Sequence, residues 1–272
     1  MIDLDRIIPL HPQGSATPLF CVHAASGSAY SYIPLAELLG ADQPVYGIEA
    51  PGFDGDREPV SSLVQLSAEY AETLRAFRPE GDFLLLGWSI GGTIAFDMAR
   101  RLVAAGGTVR QVVLVDVSRP QPTELPSEKE IARRFLLELL ATVDAPTAPV
   151  TAMLDTQPEA AGSHEIFRAV ERAGALPPEL DADLLTGRYS VFRAHLEALY
   201  RYGTDQPYSG PVTHLIASES PMPSVRWDGL ATRLTEYTVP GSHYSIWTGD
   251  SLRLLADLVR AAIAGASGPE PG

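Results

Sequence analysis

A single cysteine, Cys21, is all the chain has, so no disulfide can form within it. A metal site built from several cysteine thiolates is excluded for the same reason. Basic residues are also scarce: 20 Lys and Arg stand against 34 Asp and Glu, a formal net charge of -14. That excess repels other polyanions and argues against nucleic acid or an anionic membrane as a partner. No run of about 18 apolar residues occurs, as a transmembrane helix would need. Residues 1–14 have neither the basic start nor the apolar core of a secretory signal. The expectation is a cytoplasmic protein. Internal repeats and low-complexity tracts are absent too.

What is present is a chain of 272 residues, 45% hydrophobic and 20% charged, enough for one sizeable α/β domain with an insertion. Short apolar runs at 18–23, 45–49, 83–87, 112–117, 212–217 and 236–239 read as strands, most of them buried on both faces as in a parallel sheet. Cys21 lies in the first of these and reads as a small buried strand residue. Helical spacing of apolar residues marks 61–77, 90–105 and 252–264. This alternation predicts a doubly wound, mostly parallel sheet. It breaks after Val117, where only Pro-rich connections and helical stretches at 128–141, 164–173 and 181–202 follow. The expected organisation is a core made of 1–118 and 204–272, with 119–203 as a helical lid insertion. The Gly/Pro/Ser-rich tail, 265–272, is expected to fray.

Gly87-Trp88-Ser89-Ile90-Gly91 matches G-x-S-x-G, directly after the apolar run 83–86 and directly before a helix. Such a serine sits on a tight strand-to-helix turn, and the glycines admit neighbouring backbone that a Cβ would exclude. A serine hydroxyl needs a base within hydrogen-bond reach, and histidine suits neutral pH. Of six histidines, His243 lies after the last strand, where the base of this element order belongs. His11 belongs to the N-terminal arm, His164 and His195 to the insertion and His214 to a strand. His23 ends the first clear strand and fits shaping the adjacent loop. An acid must orient the base, and Asp116, Glu219 and Asp228 all lie at or beyond strand ends. Backbone N–H groups must receive the charge of a tetrahedral intermediate. Ile90 supplies one, and the small-residue loop 23–28 supplies the other, assigned to Ala25.

Taken in order, Phe20-Cys21-Val22-His23-Ala24-Ala25-Ser26-Gly27, Gly87-Trp88-Ser89-Ile90-Gly91-Gly92, Leu114-Val115-Asp116 and Gly241-Ser242-His243-Tyr244 resemble the terminal (type I) thioesterase domains of nonribosomal peptide synthetases and polyketide synthases. The resemblance runs over nearly the whole chain outside the insertion. It implies an α/β-hydrolase fold and, since the family's acid follows the strand after the nucleophile helix, it selects Asp116. The catalytic set is then Ser89, His243 and Asp116. The implied reaction is attack of Ser89 on a thioester carried by the phosphopantetheine arm of an acyl or peptidyl carrier protein, followed by hydrolysis or macrocyclisation. No cofactor or metal is implied, because the pantetheine arm belongs to the substrate; a monomer is the usual state of the peptide-synthetase members, whereas polyketide ones can dimerise. The segment Ile7-Ile8-Pro9-Leu10-His11-Pro12 resembles the join between a carrier domain and such a thioesterase, which suggests an excised terminal domain. The sequence departs from the family at Ala24, where many members have Pro.

In the insertion, Phe135, Leu136, Leu139, Leu140, Phe167, Leu184, Tyr189, Phe192, Leu196 and Leu199 fit amphipathic helices over a greasy acyl pocket, most of them packing the insertion onto the body and none assigned singly to the pocket by spacing. Rival readings are a stand-alone editing thioesterase or a carboxylesterase with the same residues, and a non-catalytic binding protein of the same fold. The last would normally lack the serine or the histidine.

Overall fold

The computed structural model describes residues 3–55, 57–142, 145–177, 180–220, 227 and 229–265. Asp228 and the tail after Gly265 lie outside the described residues. The elements run β1 (Ile7–His11), β2 (Leu19–Val22), α1 (Ile33–Leu39), β3 (Val45–Ile48), α2 (Leu63–Phe77), β4 (Phe83–Trp88), α3 (Ile90–Ala104) and β5 (Val109–Val115). Four helices follow, α4 (Glu128–Thr142), α5 (Ala148–Thr156), α6 (Ser163–Arg172) and α7 (Ala182–Arg201). The chain then returns through β6 (Tyr208–Ala217) and β7 (Ala231–Val239) to α8 (Gly249–Gly265).

The strands form one sheet in the order β1-β3-β2-β4-β5-β6-β7, parallel throughout except for the antiparallel pair β1 and β3. The central strands are buried on both faces because successive side chains feed two separate cores. Phe20, Val22, Phe83, Leu85, Val112 and Leu114 point into the cluster that holds α2 and α3. Leu19, Cys21, Leu84, Leu86, Val113 and Val115 point into the cluster that holds α1 and α8. This two-residue alternation is the strand period expressed as packing. At roughly 25 cal/mol per Å2 of apolar surface removed from water, these two clusters are the main stabilising term.

After β2 the chain turns to one side, to β3, and then crosses back to place β4 on the other side of β2. The loops leaving β2 and β4 therefore diverge and open a crevice at the carboxyl ends of these two strands, the place where sheets of this kind bind ligands. The insertion helices pack above it. Their buried residues, including Ile131, Phe135, Phe167 and Phe192, join the same cluster as α2 and α3. Phe135 contacts Phe167, Tyr189 and Phe192 ring to ring at 5.5–5.6 Å. A polar tie reinforces this seat: the Tyr202 hydroxyl, just after α7, donates to Asp97 of α3 at 3.1 Å.

Two elements were not legible as strand or helix in full. β1 lies in the segment read as a join, and β7 begins five residues before the expected 236. Both are edge strands. β7 is largely exposed along its length and lacks the apolar run of the central strands, whereas β1, Ile7-Ile8-Pro9-Leu10-His11, is apolar but carries Pro9, a residue that sheets admit at their edges. Helices α1 and α5, of seven and nine residues, were also missed.

The turn after β4 has no spare room. A Cβ on Gly91 would collide with the carbonyl oxygen of His23, and one on Gly87 with the backbone of Gly91. Gly91→Ala is therefore expected to destabilise the protein by about 1–3 kcal/mol, read as a lower urea midpoint at unchanged slope.

Candidate active site

Ser89 and Asp116 are the two non-glycine residues with positive φ among the described residues, at 56° and 47°. Each follows the last residue of its strand, β4 and β5, and the register Trp88↔Val115 puts the two turns side by side. The Ser89 N–H donates to the Val115 carbonyl at 3.1 Å, and the Asp116 N–H to the Leu215 carbonyl at 2.7 Å. Left-handed backbone costs a non-glycine residue on the order of 1–3 kcal/mol and persists where its surroundings over-determine it. Ser89 occupies the position before α3, but its hydroxyl makes no capping hydrogen bond, so it is left available to the crevice.

The Asp116 side chain is 2% exposed and its carboxylate is filled from three directions. Oδ1 accepts the N–H of Ala217 at 3.1 Å. Oδ2 accepts the Ser220 hydroxyl at 3.0 Å and the His243 Nδ1 proton at 2.6 Å. That last bond fixes the histidine as the tautomer whose Nε2 is free to accept a proton. Trp88 packs against the His243 ring at 5.0 Å and Tyr244 at 5.2 Å, which limits its rotation. Glu219 is exposed, with its backbone N–H engaged by the Gly241 carbonyl at 2.9 Å. Of the two acids that can be placed, it is Asp116 that meets the histidine. Ser220 and the Ala217 N–H, which hold Asp116, had no motif to reveal them.

A cavity of about 510 Å3 opens over these residues and is lined by Ser89, His243 and Ala25 together with Val117, Phe192, Leu196 and Leu199. Ile90 opens α3, where an N–H has no acceptor within the helix, and Ala25 is 2% exposed in the loop after β2. The insertion residues divide between cavity wall and packing, as expected. Phe192, Leu196 and Leu199 do line it, but Phe135, Phe167 and Tyr189 pack the insertion helices on one another, and Leu184 is 43% exposed. Part of the wall is polar instead, with Arg134 donating to Glu130 at 2.8 Å and to the Tyr200 hydroxyl at 2.7 Å.

Of the other histidines, His164 is exposed on α6, and the remaining four are engaged away from Ser89. His214 Nε2 accepts the Val117 N–H at 3.3 Å, and His11 bonds the Gln43 carbonyl at 3.2 Å. His23 and His195 are fully buried with rings stacked at 4.7 Å. Burial first, and then the facing His195, hold His23 well below the ordinary histidine range. Burial holds His195 at about 4, against the opposing effect of its bond to the Ala25 carbonyl. Burial likewise pushes the Cys21 thiol up, so it is no nucleophile at neutral pH. Among the described residues no three His, Cys, Asp or Glu side chains gather as a metal site, and no helix is long and apolar enough to cross a membrane.

The thioesterase-domain family model matches residues 17–264. A non-reducing polyketide synthase of Arthrinium sp is 31% identical over 258 residues, 92% of this chain and 13% of that protein. The chain spans only 2 to 13% of the length of the curated relatives that match it first. Among solved structures, a four-domain nonribosomal peptide synthetase bound to AMP and glycine superposes with a TM-score of 0.78 at 23% identity, over 94% of this chain and 20% of that one. A type II thioesterase of the yersiniabactin NRPS/PKS pathway superposes with a TM-score of 0.70 at 20% identity, over 97% of this chain and all of that one. These two likenesses bear on the fold, an α/β-hydrolase fold with a seven-stranded, mostly parallel sheet.

The buried histidine pair makes stability depend on pH. His195 has a folded value of about 4 against 6.5 when exposed, so its stabilising contribution is complete above about pH 6.5 and is lost as pH falls through 4. The loss at full protonation is roughly 3 kcal/mol at 1.36 kcal/mol per unit. His195→Asn should therefore flatten the fall in urea midpoint between pH 7 and pH 4, and an unchanged fall would contradict this reading.

Proposed function

The chain belongs to the thioesterase-domain family, and from that premise we propose that it releases an acyl or peptidyl chain from the phosphopantetheine thioester of a carrier protein. The observation that carries the proposal is the convergence on one cavity of an uncapped serine hydroxyl and a histidine anchored through Nδ1 by a buried carboxylate. Membership of synthetase-type relatives points to a carrier domain as the partner.

In the proposed reaction, His243 Nε2 takes the proton of Ser89 as its Oγ attacks the thioester carbonyl. Asp116 stabilises the imidazolium that forms. The developing oxyanion is received by the N–H groups of Ala25 and Ile90. Collapse breaks the carbon–sulfur bond, and the imidazolium returns its proton to the departing pantetheine thiolate, leaving an ester on Ser89. A second nucleophile, deprotonated by His243, then attacks that ester and restores the serine. Water yields a free acid, and a hydroxyl or amine of the same chain yields a ring.

We take residues 119–203 as a lid, since α4 and α7 supply much of the cavity wall. The polar wall at Arg134, Glu130 and Tyr200 favours an acyl chain with hydrogen-bonding groups, such as a peptidyl or oxygenated polyketidyl chain, over a plain fatty acyl chain. A second reading, hydrolytic editing of mischarged carrier domains, is favoured by the full-length superposition on a type II thioesterase.

With an acyl-pantetheine thioester and thiol release as the measurement, Asp116→Asn is expected to lower kcat/KM by roughly 10³–10⁴. Glu219→Gln is expected to change it by less than about threefold. Equal losses, or the reverse ranking, would remove Asp116 from the reaction. Rapid cleavage of oxygen esters with no thiol release from any thioester would make the chain an esterase.

A further inference from the structure

Two polar side chains of the insertion are buried against the loop after β2, and the reaction as described uses neither. Glu138, on α4, is 3% exposed, and its Oε1 accepts the N–H of Ser26 at 2.8 Å. His195, on α7, is fully buried, and its Nδ1 donates to the carbonyl of Ala25 at 2.8 Å. These carbonyl and N–H groups belong to one peptide unit, the one joining Ala25 to Ser26. A planar peptide held at both its acceptor and its donor cannot turn.

The preceding peptide, which carries the Ala25 N–H, is anchored at its other end. The Ala24 carbonyl accepts His23 Nδ1 at 2.7 Å and the Gly27 N–H at 3.1 Å. His23 is in turn fixed by the Tyr70 hydroxyl of α2, which donates to Nε2 at 2.7 Å. In a trans peptide the N–H points away from the carbonyl, so fixing the Ala24 oxygen aims the Ala25 N–H. The body of the protein thus holds one peptide of the loop, and the insertion holds the next.

Burying these two groups is costly. Burial pushes the Glu138 carboxyl above the usual carboxylate range, with the bonds from Ser26 and the nearby His243 acting the other way. His195 leaves its Nε2 buried with no hydrogen-bond partner. A contact that served only to seat the helices would be made more cheaply by apolar side chains.

We propose that Glu138 and His195 are positioning residues for acyl transfer. By gripping the Ala25–Ser26 peptide from α4 and α7, they hold Ala25 from its second side, so that the N–H which the body aims through the Ala24 carbonyl is rigidly placed only while these helices are docked. The inference rests on the reading of Ala25 as an oxyanion donor in a Ser89 thioesterase. It makes the insertion part of the catalytic geometry as well as a wall of the acyl cavity.

The test uses the full chain with an acyl-pantetheine thioester and, separately, an alkylboronic acid that forms a tetrahedral adduct on Ser89. Glu138→Ala and His195→Ala should each lower kcat by roughly 10-fold, short of the roughly 10² or more that outright loss of one oxyanion donor costs, with KM within a few-fold. Boronate affinity should fall in parallel. Glu138→Gln keeps an acceptor at Oε1 and His195→Asn keeps a donor near Nδ1, so both should recover most of the loss. Four results would overturn the proposal: alanine variants at wild-type kcat, a loss of melting temperature alone, a raised KM with kcat kept, or no effect on boronate affinity. Glu138→Gln as impaired as Glu138→Ala would assign the effect to charge near His243, which also overturns it. A wild-type chain that releases no thiol would sink the functional reading itself, and the clamp with it.

Discussion

The arrangement depends on two adjacent turns of left-handed backbone, at Ser89 after β4 and at Asp116 after β5. Neither residue is glycine, so each turn is held against a steric cost, and the holding is done by the parallel sheet. Bonds to Val115 and Leu215 continue the ladder one residue past each strand. Parallel register then fixes the separation of the two turns in the same way that it fixes any pair of neighbouring strand positions. Gly87 and Gly91 are required because the backbone after β4 passes so close to itself and to His23 that side chains are excluded.

From those turns the site is built outward by short-range bonds. Asp116 reaches across β6 to the Ala217 N–H, to Ser220 and to His243, so the histidine loop is tied to the sheet through one carboxylate. On the other side, the loop after β2 meets Ser89 at the point where the strand order reverses. The insertion helices close this space from above and touch that loop through Glu138 and His195. Helices α4 and α7 are thus coupled to the loop after β2 by hydrogen bonds, as well as by the apolar packing around them.

Much of this was legible in the sequence because the signals were local. G-x-S-x-G between an apolar run and a helix identifies its own turn, and the central strands announce themselves through continuous burial. The edge strands are less legible: in β7 an exposed face relaxes the apolar pattern, and in β1 Pro9 interrupts an otherwise apolar run. Asp116 and Glu219 look alike in sequence, each closing a strand, and only the three-dimensional register brings one of them to His243. Glu138 and His195 lie within ordinary amphipathic helices, where a buried polar residue has no spacing that distinguishes it. Their role comes from contacts across 112 and 170 residues of chain, which no local pattern encodes.

The central claim is that Ser89 becomes acylated by a thioester. Intact-protein mass spectrometry at early times after mixing with an acyl-pantetheine thioester tests it most directly, with free thiol followed in parallel. The account predicts a mass increase equal to the acyl group on the wild-type chain, thiol released with it, and neither in Ser89→Ala. An adduct that survives in Ser89→Ala, or a wild-type chain that neither gains the acyl mass nor frees thiol, would contradict it.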